Sequence, residues 1–335
     1  VRRGSVDPDR RDRVVAFNTH EVAHGAPILA DGPALAFGRM EPTSGEVANV
    51  TRALRRLGGR PAAWRAVTDG GYTPARRWVV TLEDGPTAFV KVATDELTAS
   101  WIRDEHTTYS ALRGAAFMPR FIGFHDDGER PVLALEDLSS AVWPPPWSTE
   151  RIDSVLLCLD DVATTPPPAG LPRAADDHLG LRRCWSQIER DPEPFLRLGL
   201  CSDDWLSDAL PALRGSAETA PLDGGELLHF DVRSDNICFR QDGRAALVDW
   251  NWTSVGNRWL DVAAWLPSLH AEGGPPPQDV APDVPPGLAS VVASYFCYHA
   301  GQPAITEWPH VRSVQLRQAR TALPWAARAL GLPPP

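Results

Sequence analysis

The 335-residue sequence predicts an α+β protein with a small β-rich N-lobe and a larger helical C-lobe. Five short apolar runs, separated by turn residues and interrupted by one helical pattern, lie within residues 41–138. After a proline-rich connector, AVWPPPW (141–147), helical spacing of apolar residues dominates. The predicted organisation is therefore an irregular N-terminal segment (1–40), an N-lobe (41–138) and a C-lobe (139–335).

The N-lobe elements are predicted from capping residues, turn residues and periodicity. A helix is expected to begin at Thr43 or Ser44, both good N-cap residues, and to end at Gly58. Five strands are expected to form one sheet, with a helix over 95–112 inserted between the third and fourth. The predicted strands are 62–67, 76–82, 87–93, 120–124 and 131–138.

The C-lobe is predicted to be helical with a single β-hairpin. Helices are expected at 148–163, 178–213, 258–270, 285–300 and 308–330. The apolar runs ICF and AALV flank Asp242-Gly243, and this dipeptide predicts a two-residue hairpin turn because glycine accepts positive φ. Paired residues then sum to 485, which places Asn236 opposite Asp249. An amide and a carboxylate oxygen side by side suit Mg²⁺.

Composition limits the classes of function. The net charge of −10 argues against a general nucleic-acid binder and is compatible with a cationic small-molecule ligand. No apolar run reaches the roughly 18 residues of a membrane span, and the opening residues lack a signal-peptide pattern, so no membrane partner and a cytoplasmic location are expected. Five single cysteines without a CxxC pair indicate buried thiols rather than a disulfide or zinc framework.

Lys91 is the only lysine in the sequence, and arginine carries the rest of the positive charge. It falls in the third predicted strand, where a compact ammonium group offers a point charge that a planar guanidinium does not replace. Glu105, fourteen residues later in the following helix, is expected to orient it, with Asp95 and Asp104 as alternatives. A lysine paired with a helix carboxylate is typical of sites that bind nucleotide phosphates.

Two motifs carry a resemblance to a known family. HFDVRSDN (229–236), followed by LVDW (247–250), resembles the motif pair of the aminoglycoside phosphotransferase and choline kinase group, which has a protein-kinase-like fold. The group's loop usually reads His-Gly-Asp-x-x-x-x-Asn, so Phe230 replaces a glycine here, a change expected to affect packing or acceptor access. The resemblance covers about residues 45–330.

The resemblance implies an ATP- and Mg²⁺-dependent kinase. It implies that Asp231 takes up or orients the proton of the acceptor hydroxyl. It implies that Asn236 and Asp249 hold Mg²⁺. It also implies that Lys91 contacts the α- and β-phosphates, with Glu105 holding it in place.

The resemblance also implies roles for further residues. Arg233 is expected to touch the γ-phosphate, with a structural ion pair as the alternative. Glu136 and Leu138 fall at the hinge, where backbone groups would contact adenine. Gly70 and Gly71 lie between the first two strands, where backbone amides would cover the phosphates, although Gly-Gly is also a good turn.

His229 and Asp261 are expected to support the loop that carries Asp231. The predicted function is phosphorylation of a hydroxyl group on a small molecule, with an aminoglycoside-like antibiotic or another secondary metabolite favoured as acceptor. One alternative is a non-catalytic nucleotide-binding regulator of the same fold. A protein kinase is disfavoured because only about a dozen residues separate Asp249 from Asp261, too few for a long activation segment.

Overall fold

The computed structural model describes residues 41–68, 75–177, 179–305 and 310–335. The chain forms two compact units. The helical unit contains Pro146–Ile237 and Thr253–Pro335, and the β-rich unit contains the described residues up to Pro145 together with Cys238–Trp252. The segment 238–252, which follows the loop of the first motif, therefore belongs to the β-rich unit, whereas the sequence-based division had placed it in the C-lobe.

The β-rich unit contains one five-stranded antiparallel sheet. Its strands are, in chain order, β1 (Pro61–Ala66), β2 (Arg76–Leu82), β3 (Thr87–Val92), β4 (Phe121–His125) and β5 (Val132–Glu136). Their spatial order is β1-β2-β3-β5-β4, so β3 lies at the centre. Gly85, with φ +96°, closes the turn from β2 to β3, where its amide donates to the carbonyl of Leu82 at 2.9 Å. The predicted five-stranded sheet is confirmed.

Two helices accompany this sheet: α1 (Ser44–Ala53) and α2 (Glu96–Ala111). Helix α1 begins as predicted, because Thr43 and Glu46 form a reciprocal capping box. It ends at Ala53, and residues 54–57 continue as turn rather than helix. Asp95 is the N-cap of α2, where its side chain accepts from the amide of Thr98 at 2.8 Å.

The core of the β-rich unit lies between α1 and the sheet. Val50 and Leu54 pack there with the strand residues Trp78, Val80 and Val90, all nearly inaccessible to solvent. Helix and sheet approach closely at Gly123 on β4, since a Cβ built there would lie 2.0 Å from the backbone carbonyl oxygen of Ala53. Only glycine fits at this contact.

The helical unit is built around one buried helix. Its helices are α3 (Thr149–Thr164), α4 (Cys184–Arg190), α5 (Glu193–Leu196), α6 (Asp203–Glu218), α7 (Trp259–Ala271), α8 (Pro277–Val280), α9 (Pro286–Ala300) and α10 (Val311–Ala329). In α9, 11 of 15 residues are buried, as expected for a helix surrounded by others. It packs against α10, α6, α4 and α7. In the described part of the chain, no helix has both the length and the apolar character that crossing a membrane requires.

The prediction of a single helix over 178–213 is wrong. The structure has three helices there, α4, α5 and α6, and α6 extends to Glu218. Helix α4 ends at Arg190, two residues before Pro192, because proline disfavours the helical conformation of the residue that precedes it. Helix α6 then begins at Asp203, after the N-cap Ser202, whose side chain accepts from the amide of Trp205 at 3.1 Å.

The expectation of a single β insertion is also wrong. A second pair of strands, β6 (Glu226–Leu228) and β9 (Ser254–Gly256), forms a two-stranded antiparallel sheet in the helical unit. Strand β6 leads directly into the loop 229–236, and β9 leads into α7. Because the pair is antiparallel, the end of β6 that leads into this loop lies beside the start of β9, with Leu228 opposite Ser254.

The predicted hairpin forms, but with a different register. Its strands are β7 (Ile237–Phe239) and β8 (Ala245–Leu247). The amide of Arg240 donates to the carbonyl of Arg244, and the amide of Gly243 donates to the carbonyl of Arg240, both at 2.9 Å. With Gly243 at φ +82°, this is a three-residue loop. Paired residues sum to 484, so the register that placed Asn236 opposite Asp249 is wrong.

Gly123→Ala is expected to destabilise the β-rich unit, because the added methyl group would overlap the Ala53 carbonyl. Overpacking of this kind costs about 1–3 kcal/mol. Gly215→Ala, in α6, is the matched control, since its Cβ position has nothing within 4 Å and alanine is favoured over glycine in helices by about 1 kcal/mol. In chemical denaturation, G123A should lower the free energy of unfolding while G215A should not. A G123A protein as stable as the wild type would contradict the close helix–sheet contact.

Candidate active site

Lys91 lies in a cluster of charges within the β-rich unit. From β3, its Nζ donates to both carboxylate oxygens of Glu105 on α2, each at 2.9 Å. It also donates to Oδ1 of Asp249, which follows β8. The side chains of Lys91 and Glu105 are only 13% and 3% exposed. The structure therefore brings these three sequence-predicted residues together.

The position of Glu105 on α2 explains why it, rather than a neighbouring aspartate, meets the lysine. The buried residues of α2 follow a helical stripe that includes Ile102, Glu105 and Tyr109. Asp104 is exposed and Asp95 is occupied as the N-cap. A carboxylate at the helical spacing of Ile102 and Tyr109 is the sequence signal that distinguishes Glu105 from its alternatives.

Burial and ion pairing have opposite effects on the pKa values of Lys91 and Glu105. Burial alone would lower the pKa of Lys91, but the attraction of Asp249 and Glu105 outweighs it and leaves the pKa raised. Burial raises the pKa of Glu105 to about 7, and the nearby Lys91 ammonium counteracts part of this shift. Because the pKa of Lys91 is raised, its ammonium stays charged at physiological pH.

The hairpin that carries Asp249 is hydrogen-bonded to the rest of the β-rich unit. Phe239 and Val142 exchange two backbone hydrogen bonds, of 2.8 and 2.9 Å. On the other strand, the amide of Leu247 donates to the carbonyl of Phe117 at 2.8 Å. Both strands of the hairpin are thus held, and Asp249, two residues after β8, is held with them.

An ion pair joins the hairpin to the predicted hinge. The Arg240 guanidinium donates to both carboxylate oxygens of Glu136, at 2.5 and 3.1 Å. The amide of Glu136 donates to the carbonyl of Arg120, and the carbonyl of Leu138 accepts from the amide of Ala141. Sequence reasoning did not identify Arg240.

In the helical unit, Asp261 fixes the start of the loop 229–236. From the first turn of α7 its two carboxylate oxygens accept from the backbone amides of His229 and Phe230, at 2.7 and 2.8 Å. Burial raises the pKa of Asp261 to about 7, while these two hydrogen bonds act in the opposite direction. The Nδ1 atom of His229 in turn accepts from the amide of Asp231 at 3.2 Å.

Asp231 is held by two side chains of its own loop. Its Oδ2 accepts from Arg233 at 3.1 Å and from the amide nitrogen of Asn236 at 3.0 Å. Arg233 also lies 3.5 Å from Asp235, and its side chain is only 6% exposed. This placement makes Arg233 a positioning residue for Asp231, and its predicted contact with the γ-phosphate stays a prediction.

The side chain of Asn236 has a defined orientation. Its nitrogen donates both to Oδ2 of Asp231 and to the backbone carbonyl of Asp231, the latter at 2.9 Å. Because the donor side of the amide is used in this way, the amide oxygen points elsewhere and is suited to accept or to bind a cation. Two further predicted residues, Gly70 and Gly71, lie outside the described residues.

Comparison with known proteins identifies the family. The model of the phosphotransferase enzyme family matches residues 63–281, which is more than half of the chain. The chain belongs to this family. The match includes both the Lys91 cluster and the loop 229–236. The predicted family is confirmed, and with it the prediction of a small-molecule phosphotransferase that acts on hydroxyl groups.

Solved structures show the fold of this phosphotransferase. An aminoglycoside phosphotransferase from Alicyclobacillus acidocaldarius has a TM-score of 0.54 at 16% identity, covering 88% of this chain and 97% of that chain. Choline kinase LicA from Streptococcus pneumoniae has a TM-score of 0.50 at 14% identity, with 83% and 98% covered. A thermostable mutant of aminoglycoside phosphotransferase APH(4)-Ia has a TM-score of 0.51 at 14% identity, with 86% and 98% covered. The predicted α+β, two-lobed, protein-kinase-like fold is confirmed. No curated protein sequence is a significant match.

At its departure from the family motif, the backbone of the phosphotransferase has a positive φ. Phe230 has φ +66°, in the left-handed region that glycine adopts without strain. Among the described residues only three non-glycine residues have positive φ, and two of them are Phe230 and the predicted metal ligand Asp249. Such conformations concentrate at functional sites. The glycine of the usual motif is thus a backbone requirement that this chain meets with phenylalanine.

A second carboxylate, Glu272, holds the loop 229–236 near its other end. Ser234 and the indole nitrogen of Trp147 both donate to Oε2 of Glu272, the latter at 2.9 Å. Burial raises the pKa of Glu272, which is the C-cap residue of α7. Helix α7 therefore holds the loop through a carboxylate at each of its ends. Nothing in the sequence around Glu272 indicated this role.

In the described ranges, no three His, Cys, Asp or Glu side chains are grouped so that they could hold a metal ion. Asp249 in the β-rich unit carries a carboxylate, and Asn236 in the helical unit carries an amide oxygen. Oxygen ligands of this kind suit a hard cation.

Asp261→Asn is expected to destabilise the loop 229–236, because the amide offers one acceptor oxygen where the carboxylate offers two. A buried N–H group left without an acceptor costs about 1–3 kcal/mol. Urea unfolding should show this loss, and the amides of His229 and Phe230 should exchange hydrogen faster. Asp208→Asn, on the exposed side of α6, is the control and should change stability by less than about 0.5 kcal/mol. Equal stability of the two variants would contradict the assigned role of Asp261.

Proposed function

We propose that this phosphotransferase is an ATP- and Mg²⁺-dependent kinase that phosphorylates a hydroxyl group of a small molecule. The observation that carries the proposal is the cluster of Lys91, Glu105 and Asp249. A lysine fixed by a helix carboxylate and placed beside a second carboxylate is the arrangement with which kinases bind nucleotide phosphates. The APH(4)-Ia mutant, a structural neighbour, was crystallised with AMP-PNP and hygromycin B, which supports a nucleotide and a small-molecule acceptor as ligands.

Asp231 is proposed to take up the proton of the acceptor hydroxyl. A carboxylate in this role must be held in one orientation within hydrogen-bond reach of the hydroxyl. Arg233 and Asn236 fix its Oδ2 atom, and His229 and Asp261 fix the backbone around it. The side chain is thereby oriented before any substrate binds.

Asn236 and Asp249 are proposed to bind Mg²⁺. The residues fit the ion, because both supply oxygen and Mg²⁺ in such sites takes one or two carboxylates together with substrate phosphates. The nitrogen of the Asn236 amide is already used by Asp231, which leaves its oxygen as the ligand atom. When bound, Mg²⁺ would neutralise negative charge on the phosphates during transfer.

The other nucleotide contacts follow from the same proposal. Lys91 is proposed to bind the α- and β-phosphates, since its ammonium is charged and held in place. The Glu136 carbonyl and the Leu138 amide are proposed to contact adenine. Gly70 and Gly71 are proposed to cover the phosphates with backbone amides.

The proposed acceptor is an aminoglycoside-like antibiotic or another secondary metabolite, with cationic acceptors preferred. The net charge of −10 supports a cationic ligand. Aminoglycoside phosphotransferases and a choline kinase among the structural neighbours support the same class. We further propose that the reaction takes place in the cytoplasm and that it inactivates the acceptor, which would confer antibiotic resistance.

The structure disfavours a protein kinase. Helix α7 begins at Trp259, ten residues after Asp249, and the residues between include the strand β9. This segment is too short to contain a long activation loop. A non-catalytic regulator is disfavoured because Lys91, Asp231, Asn236 and Asp249 are all present.

Asp231→Asn is expected to abolish most phosphoryl transfer while nucleotide binding is retained, because the amide does not take up a proton. General base catalysis contributes about 10²- to 10⁴-fold, so kcat should fall by a factor in that range. The assay is ATP consumption with mass spectrometry of the product, over aminoglycosides, peptide antibiotics, nucleosides and macrolides. Exposed Asp279→Asn is the control and should keep wild-type activity.

Two results would contradict the proposal in different ways. Wild-type rates in D231N would remove Asp231 from its proposed role. Tight binding of ATP without transfer to any acceptor of the panel would instead support the regulator.

A further inference from the structure

A second cation lies beside Lys91. In the register of β2 and β3, Arg77 is directly opposite Lys91. Directly opposed residues of an antiparallel pair project from the same face of the sheet, with Cβ atoms about 4.5–5.5 Å apart. Arg77 and Lys91 therefore project from one face, the face on which Lys91 meets Glu105.

The preceding residue, Arg76, projects to the opposite face. Side chains alternate along a strand, so consecutive arginines point to different sides. The Nη1 atom of Arg76 lies 2.8 Å from Oε2 of Glu46, a residue of α1. The two arginines therefore have separate surroundings, and Arg76 has a structural partner on the side of α1.

Asp249 attracts both Arg77 and Lys91. Burial lowers the pKa of the Arg77 guanidinium, and the attraction of Asp249 opposes that shift. Asp249 also accepts from Lys91, whose ammonium is bound in addition by both oxygens of Glu105. An anionic ligand bound at this face would be attracted by both cations, Arg77 and Lys91.

Phosphate is the anionic group that this arrangement suits best. A guanidinium presents parallel N–H donors in a planar fork that matches two phosphate oxygens, whereas an ammonium acts as a point charge. A partly desolvated guanidinium also interacts more strongly than one in water. Arg77 thus adds a directional donor beside the point charge of Lys91.

We propose that Arg77 is a second phosphate-binding residue, which contacts the phosphate groups of a nucleoside di- or triphosphate together with Lys91. The inference rests on the proposed nucleotide-binding function and assigns a role that the sequence motifs do not contain. The contribution of Arg77 to binding should therefore depend on the number of phosphates on the ligand.

The test compares Arg77→Met with Arg76→Met by titration calorimetry against ATP, ADP, AMP and adenosine in the presence of Mg²⁺. R77M should bind ATP and ADP at least about tenfold more weakly than the wild type, with little change for adenosine. Arg77→Lys should recover part of the loss, because it keeps the charge but not the fork. R76M should be less stable than the wild type, because it loses the ion pair with Glu46 on α1. Its nucleotide affinities should equal those of the wild type.

The outcomes separate this inference from the function on which it rests. Wild-type ATP affinity in R77M would overturn the inference alone. An equal loss for ATP and adenosine in R77M, with R77K as weak as R77M, would also overturn it, because the residue would then act on the fold or on the nucleoside. Absence of any nucleotide binding by the wild-type protein would overturn the proposed function as well.

Discussion

The ion pair between Lys91 and Glu105, with Asp249 as second partner, is the constraint on which the β-rich unit depends. A buried ammonium needs well-placed carboxylates, because removal of one partner from a buried pair typically costs about 3–5 kcal/mol. This requirement explains a carboxylate on the apolar stripe of α2. It also explains why the hairpin before Asp249 is tied to this unit by the Phe239–Val142 backbone hydrogen bonds, although the chain on either side of 238–252 belongs to the helical unit.

The helical unit positions Asp231 by independent means. Asp261 satisfies two backbone amides at the start of the loop 229–236, and Glu272 accepts from Ser234 near its end. A loop has few regular backbone partners, so its N–H groups need acceptors from elsewhere. Asp261 near one end of α7 accepts from the backbone amides and Glu272 at the other end accepts from the Ser234 hydroxyl, so a change in α7 would be transmitted to the loop that presents Asp231.

Capping residues, turn residues and hydrophobic periodicity predicted those parts of the fold and of the site that depend on residues close together in the chain. The capping box at Thr43, the strand periodicity and the placement of Lys91 and Glu105 were all readable from the sequence. The hairpin register was not, because Asp-Gly occurs in two-residue and three-residue loops alike. The break at Pro192 carried a local signal that the helical periodicity of 178–213 obscured.

Contacts between residues that are distant in the chain were mostly not predictable from these patterns. Arg240 lies 104 residues from Glu136, and Asp261 lies about thirty residues after the amides that it binds. No periodicity or turn pattern links such positions, and the resemblance supplied only Asp261. Arg77 is an intermediate case, since the register of β2 and β3 places it opposite Lys91 as soon as the turn between the strands is fixed at Gly85.

The most direct test of the account is the Mg²⁺ dependence of ATP affinity in wild type and in Asp249→Asn, measured by titration calorimetry with and without the ion. Asp242→Asn, at the exposed tip of the same hairpin, is the matched control. The account predicts that Mg²⁺ strengthens ATP binding in the wild type and in the control. In the presence of Mg²⁺, Asp249→Asn should bind ATP at least about tenfold more weakly than the wild type. It should also lose most of the gain in ATP affinity that Mg²⁺ gives the wild type. The same Mg²⁺ enhancement in all three proteins would contradict it.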